Sequence, residues 1–144
     1  MEGKPVVAVG AGTVGTRRIK ALEGFGALVT VIAPDVSREV ETLQEEGRVT
    51  LLRREYREGD LKGAEIVIAA TDDATLNSSI AEEGKSLGML VSSASNKEEC
   101  GFFFPAIVRS GDMVIGINGN GRDHRGVRKV RETIEKAVKD QEDR

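Results

Sequence analysis

Short apolar runs closed by glycine, proline or charge alternate, along most of the chain, with stretches whose apolar positions recur at helical spacing. Pro5 to Gly10 reads as a first strand, and Val14, Ala21, Leu22 and Phe25 then fall on one helical face before Gly24 and Gly26. Leu28 to Ala33 is a β-branched run that stops at Pro34. Asp35 or Ser37 can cap a helix to Glu46, with strands following at Val49 to Leu52 and Ile66 to Ala70. After Thr71-Asp72-Asp73 the spacing predicts a helix through Leu87, closed by Gly88, and then a strand from Met89 to Val91. Strand and helix in alternation of this kind predict an α/β fold with a doubly wound parallel sheet.

The pattern changes after Ser95. Phe102 to Val108 and Met113 to Ile117 predict a β-hairpin joined by Arg109-Ser110-Gly111-Asp112. A glycine-rich loop leads to a last helix with Val127, Val130, Ile134, Ala137 and Val138 on one stripe, flanked by Glu132/Lys136 and Glu135/Lys139 pairs. The chain thus divides into a domain over residues 1–100 and an arm over residues 101–144. So small an arm carries more apolar surface than it can bury on itself. It either builds a homodimer, the reading adopted here, or folds back on its own sheet.

Composition narrows the partners. With 144 residues, 39% apolar and 31% charged, the chain suits one folded domain plus an appendage. A net charge of -3 gives no overall attraction for nucleic acid or an anionic membrane. Cys100 is the single cysteine, so no internal disulfide forms and a reducing, cytoplasmic location is expected. No apolar run approaches membrane-spanning length and no signal peptide is expected.

The candidate chemistry begins at Gly10-Ala11-Gly12-Thr13-Val14-Gly15, between the first strand and the first helix. Glycines there let backbone N–H groups and a helix N-terminus approach a pyrophosphate, which predicts a Rossmann-like dinucleotide site. Asp35, twenty residues past Gly15, is placed to accept from the adenosine ribose hydroxyls and to repel a 2′-phosphate, favouring NAD over NADP; the alternative is a helix cap. Thr71 ends the fourth strand, at the edge where open sheets bind ligands, and is expected to face the nicotinamide half. Asp72 and Asp73 are either caps or ligand contacts. Arg122, Arg125, Arg128, Lys129 and Arg131 place five cations within ten residues, either a polycarboxylate site or a solvated helix face. His124, the single histidine, lacks a second ligand for a metal, and no metal site is expected.

The glycine turn, Thr71-Asp72-Asp73 and the run Cys100-Gly101-Phe102-Phe103-Phe104-Pro105-Ala106-Ile107-Val108 together resemble the NAD-dependent precorrin-2 dehydrogenase family, the dehydrogenase module of sirohaem synthases. The resemblance extends in order from Val6 to Glu132. It implies oxidation of precorrin-2 to sirohydrochlorin, with a hydride passing to NAD and a proton lost to a base or water; some members also insert ferrous iron. It further implies that Thr13, Val14, Pro34 and Asp35 touch NAD, that the segment after Phe104 dimerises, and that Arg122, Arg125 and Arg128 meet the carboxylates of the tetrapyrrole.

Two positions depart from the family pattern. Ser95 occupies the place of an aspartate implicated in dehydrogenation and metal insertion. A neutral hydroxyl is a poor base and a poor iron ligand, so base catalysis of about a hundredfold is at stake. Gly121-Arg122-Asp123-His124 replaces a glycine, lysine, serine, proline stretch, bringing a carboxylate and an imidazole into the expected active-site region. The candidate catalytic residues are therefore Ser95, Asp123 and His124, and efficient iron insertion is not expected. Cys100 reads as a small packed residue or as a ligand. Relatives continue into a helical domain after the last helix, so a more open site is expected here. A non-catalytic NAD- or tetrapyrrole-binding partner of another sirohaem enzyme is the competing function. A regulatory nucleotide-binding domain of an ion channel would share the glycine turn but leaves the run from Cys100 to Ala106 unexplained.

Overall fold

The computed structural model describes every residue except Gly121, so the first position of the departing stretch Gly121-Arg122-Asp123-His124 lies outside the described residues. The chain forms two compact units, Met1–Phe103 and Phe104–Arg144.

The first unit runs β1 (Pro5–Ala11), α1 (Thr13–Gly24), β2 (Leu28–Val36), α2 (Arg38–Glu45), β3 (Thr50–Leu52), β4 (Ile66–Ala69), α3 (Ala74–Ser86) and β5 (Leu90–Ser93), followed by a 3₁₀ turn at Lys97–Glu99. The five strands form one parallel sheet in the order β3-β2-β1-β4-β5. The chain winds outward from β1 to β3, returns beside β1 as β4, and so places a topological switch between β1 and β4. In register, Val7 lies beside Val67, which lies beside Val91. These residues share a face with Val9, Ile32 and Ala69 and pack on Leu61, Ile80 and Ala81. The opposite face, carrying Val6, Ala8, Ile66 and Ile68, is equally buried, which is why the strands read as continuous apolar runs. Each valine, leucine or isoleucine among them contributes about 1.5–3 kcal/mol on burial.

Three expectations for this unit are corrected. The inner face of α1 is Gly15, Thr16, Ile19 and Leu22, while Val14 and Phe25 are each 38% exposed. A Cβ on Gly15 would fall 2.5 Å from the Gly10 carbonyl oxygen, so this close crossing sets the rotation of the helix. Second, β2 does not stop at Pro34 but runs on to Val36. Pro34 lies past Leu52, the last paired residue of β3, and at the register break between Val9 and Ala11 of β1, so its missing N–H costs no ladder bond. Third, β5 starts and ends later than expected, at Leu90 and Ser93. Its two serines are buried because each meets a polar partner: Arg18 Nη1 donates to Ser92 Oγ (3.0 Å), and the Ser93 N–H donates to Cys100 Sγ (3.3 Å).

The second unit contains β6 (Ala106–Ser110) and β7 (Met113–Ile117), an antiparallel pair, and α4 (His124–Glu142). The two-residue connection Gly111-Asp112 is tighter than the predicted one, with Gly111 at φ +54°. The hairpin begins at Ala106 rather than Phe102, since Pro105 cannot donate and the boundary between units falls inside the phenylalanine run. In α4 the ion pairs also differ: Glu132 accepts from Arg128 (3.1 Å) and Glu135 from Arg131 (2.8 Å), the arginines one turn earlier, instead of pairing with Lys136 and Lys139. Val127, Ile134 and Val138 are half-buried where α4 packs on the hairpin, but Ala137 is exposed and Val130 is 49% exposed.

Candidate functional site

Parallel strands deliver their C-terminal ends to one edge of the sheet, and the candidate residues of the first unit gather there. Gly10 has φ +93°, and a Cβ on it would lie 2.3 Å from the Ala70 carbonyl oxygen and 2.8 Å from Thr71 N. Both conformation and packing therefore demand glycine at this position. Gly15 is required by the helix crossing described above.

Gly12 differs from both. Its φ is -78°, open to any residue, and a Cβ there would meet no atom within 4 Å. Neither conformation nor packing asks for glycine at Gly12; what glycine supplies is clear space above the first turn of α1. That turn carries no side-chain cap and no acidic residue, so its N–H groups and the positive end of the helix dipole are unopposed. An open floor beneath free N–H donors fits a pyrophosphate. Thr13 and Val14 are exposed on this turn.

The loop is braced from below. Thr16, buried, donates its hydroxyl to the Ala11 carbonyl (3.2 Å), and its Oγ1 also pairs with Ser37 Oγ (2.8 Å). Ser37 Oγ in turn accepts the Val40 N–H (3.3 Å) as the N-cap of α2. Ser37 is thus the cap, and Asp35 is left exposed past the end of β3, at the register break with β1, with its carboxylate committed to no helix. Pro34 is exposed beside it.

At the end of β4, Thr71 is held by Asn77, a fully buried amide in α3. Asn77 Oδ1 accepts the Thr71 N–H (3.0 Å) and lies 2.7 Å from the Thr71 hydroxyl; Nδ2 donates to the Thr71 carbonyl (3.0 Å) and to Ser95 Oγ (2.7 Å). One side chain thereby ties the loops after β4 and β5 together. Asp73 caps α3 by accepting from Thr75 N and Leu76 N, whereas Asp72 makes no cap bond. Sequence reasoning missed Asn77. The signal was available: an asparagine, a weak helix former, on the buried face that also carries Ile80, Ala81 and Gly84.

Beyond β5 the chain turns back along the strand, with the Gly101 N–H donating to the Val91 carbonyl (2.8 Å). Cys100 Sγ lies 3.3 Å from the Ser93 carbonyl as well as from Ser93 N, an embedded structural contact. Glu99 Oε1 accepts from the Ser78 hydroxyl (2.6 Å), which holds its carboxyl below the usual range despite desolvation. Burial lowers the pKa of the half-buried Arg18 guanidinium.

Arg122, Asp123, His124, Arg125 and Arg128 belong to the second unit, at the start of α4, and all are exposed. Asp123 is the N-cap, its Oδ1 accepting the Gly126 N–H at 2.7 Å. Arg128 shares its guanidinium with Glu132. No group of three His, Cys, Asp or Glu side chains is placed for a metal among the described residues. Nor is any described helix long and apolar enough to cross a membrane.

The sequence profile of a family described as putative NAD(P)-binding matches residues 1–106. The chain belongs to that family. It is 38% identical over 122 residues to the siroheme synthase of Psychrobacter sp. (strain PRwf-1), a match covering 85% of this chain and 25% of that protein. Against the probable multifunctional siroheme biosynthesis protein HemA of Ruminiclostridium josui the identity is 35% over 137 residues, covering 94% and 27%. The chain therefore spans about a quarter of the length of these curated relatives. Among solved structures, SirC, a precorrin-2 dehydrogenase, superposes with a TM-score of 0.79 at 29% identity, covering 94% of this chain and 67% of that one. These likenesses uphold the resemblance drawn from the glycine turn, Thr71-Asp72-Asp73 and the phenylalanine run.

Proposed function

We propose that the chain is an NAD-dependent precorrin-2 dehydrogenase, converting precorrin-2 to sirohydrochlorin in sirohaem biosynthesis. The observation that carries this reading is the likeness to SirC over 94% of the chain, well beyond the nucleotide-binding segment. When bound, NAD supplies the hydride acceptor. Gly10, Gly12, Gly15 and the first turn of α1 hold its pyrophosphate, with Thr13 and Val14 alongside. Pro34 and Asp35 border the adenosine ribose, and Asp35 disfavours a 2′-phosphate. Thr71, fixed by Asn77, lies toward the nicotinamide half.

Arg122, Arg125 and Arg128 bind substrate carboxylates. Oxidation also releases a proton. Asp123 is engaged as a cap, so the exposed imidazole of His124 beside it is the group assigned to receive that proton. Residues 1–100 act as the cofactor domain, and residues 101–144 as an arm that pairs with a second copy in the cytoplasm. With a hydroxyl at Ser95 where the family has an aspartate, efficient iron insertion is not part of this reading.

The test is to mix purified protein with precorrin-2 and NAD and to follow NADH together with the sirohydrochlorin spectrum. Turnover above the blank is expected. Intact NAD binding with no turnover would instead favour a non-catalytic binding partner of another sirohaem enzyme, the reading that Ser95 in place of a carboxylate supports.

A further inference from the structure

Asn77 settles which way the hydroxyl of Ser95 works. The Thr71 N–H can only donate and the Thr71 carbonyl can only accept, and they lie 3.0 Å from Oδ1 and Nδ2 respectively. Reversing the amide would set donor against donor and acceptor against acceptor, so its orientation is fixed by backbone groups. It follows that Nδ2, a donor, faces Ser95 Oγ at 2.7 Å, and that Ser95 must accept there. The hydroxyl has a single proton, which cannot enter this contact, and no acceptor for it stands among the described residues. Ser95 itself is exposed at the sheet edge.

We infer that Ser95 is a ligand-binding donor whose polarity Asn77 sets, giving its O–H to an oxygen acceptor of a bound ligand: a carboxylate of the tetrapyrrole or the carboxamide of the nicotinamide. This rests on the proposed function for the identity of the ligands. Toward the ligand Ser95 is thus a donor rather than a base; Nδ2 already takes one of the two lone pairs of its oxygen. The same network would accept a carboxylate at this position, because Nδ2 donates equally well to a carboxylate oxygen. Serine at position 95 exchanges an anion for an outward donor without disturbing Asn77. Asn77 is accordingly a positioning residue, acting on the ligand only through Ser95 and Thr71.

Ser95→Ala, Ser95→Thr, Asn77→Asp and the double variant Asn77→Asp/Ser95→Ala separate the possibilities. Affinity for sirohydrochlorin is read by absorbance titration and for NADH by fluorescence, with KM, kcat and the pH profile of precorrin-2 oxidation, and with thermal melting as a check on folding. Ser95→Ala is expected to lose about tenfold or more in affinity for one of the two ligands, which identifies the acceptor. The shape of its pH profile should not change. Ser95→Thr, which retains a hydroxyl, should recover most of that loss. Asn77→Asp has an acceptor where Nδ2 was, so the Ser95 proton turns inward; because the bond to the Thr71 carbonyl is lost as well, its loss should be at least that of Ser95→Ala, and the double variant should be no worse than Asn77→Asp alone.

Wild-type affinity for both ligands in Ser95→Ala overturns the inference, as does a titrating limb of the pH profile that disappears in that variant. Additive losses in the double variant overturn the positioning role. The comparison of alanine with threonine leaves Asn77 untouched and decides the matter even if Asn77→Asp melts early. A wild type that binds sirohydrochlorin but does not oxidise precorrin-2 overturns the dehydrogenase reading alone, because the binding ratios still decide this one; a wild type that binds no tetrapyrrole and keeps its NADH affinity in Ser95→Ala overturns both.

Discussion

A Cβ placed on Gly10 would sit 2.3 Å from the carbonyl oxygen of Ala70, so the first strand and the end of the fourth touch through backbone alone. The contact lies at the switch point of the sheet, beside the candidate site residues. Gly10→Ala is therefore expected to strain the fold itself: the positive φ alone costs about 1–3 kcal/mol, before any displacement of Ala70. Gly12→Ala is the informative contrast. Its φ of -78° and empty surroundings predict a melting temperature within a degree or two of wild type, or slightly higher, because alanine restricts the unfolded chain. Its NAD affinity should nonetheless fall by more than about tenfold, as the methyl enters the pyrophosphate space. Melting and NAD titration on the two variants check this, and normal NAD binding by Gly12→Ala would remove Gly12 from the site.

Ser37 takes the capping bond from Val40 N, which leaves the Asp35 carboxylate uncommitted to the helix. Asp35→Asn is expected to leave stability unchanged and to narrow the NAD preference over NADP by about tenfold, since it removes the charge that repels a 2′-phosphate. Competition of NADP against NADH fluorescence measures the ratio. Equal NAD and NADP affinities in the wild type would contradict the ribose contact.

The sheet was legible because a parallel strand buried on both faces writes itself as an apolar run, and because Gly10 and Gly15 are demanded by the protein's own backbone. The rotation of α1 was not legible. Four apolar residues at plausible spacing suggested Val14 and Phe25 inside, whereas Gly15 and Thr16, which carry little hydrophobic signal, occupy the inner face. The same blindness hid Asn77, whose value lies in four hydrogen bonds to groups six or more residues away in the chain. Pairing in α4 was misread for a simpler reason: each glutamate has a cation one turn on either side, and only geometry shows that the arginine takes it.

In the connection between β3 and β4, Arg54 grips Asp60 with two bonds of 2.7 and 2.9 Å, and the Arg57 N–H adds a third at 2.7 Å. The Arg54 hydrogen bonds hold the Asp60 carboxyl below its ordinary range. The folded protein thus binds this proton at lower pH than the unfolded chain does. The contribution to stability is fully present above about pH 4 and is lost as pH falls through the folded value. Asp60→Asn should lower the melting temperature at neutral pH, and the gap to wild type should narrow as pH falls below the unfolded carboxyl value of about 4. A gap that stays constant with pH would show that the carboxylate charge contributes nothing.

The arm supplies the last prediction. Every residue of α4 is at least partly exposed, although Val127, Val130, Ile134 and Val138 recur at helical spacing. Met113 at 63% and Val114 at 46% add apolar surface on β7. One hairpin and one helix cannot enclose that much apolar area, and a second copy with the same patch is the partner that symmetry makes always available. Sedimentation of the wild type is expected to give a dimer. Met113→Glu/Val130→Glu, which buries four charges per dimer if both sites are interfacial, should shift it to monomer while the first unit retains NADH binding. A chain ending at Phe103 should be monomeric for the same reason, and a dimer that survives the truncation would place the interface on the parallel-sheet unit instead.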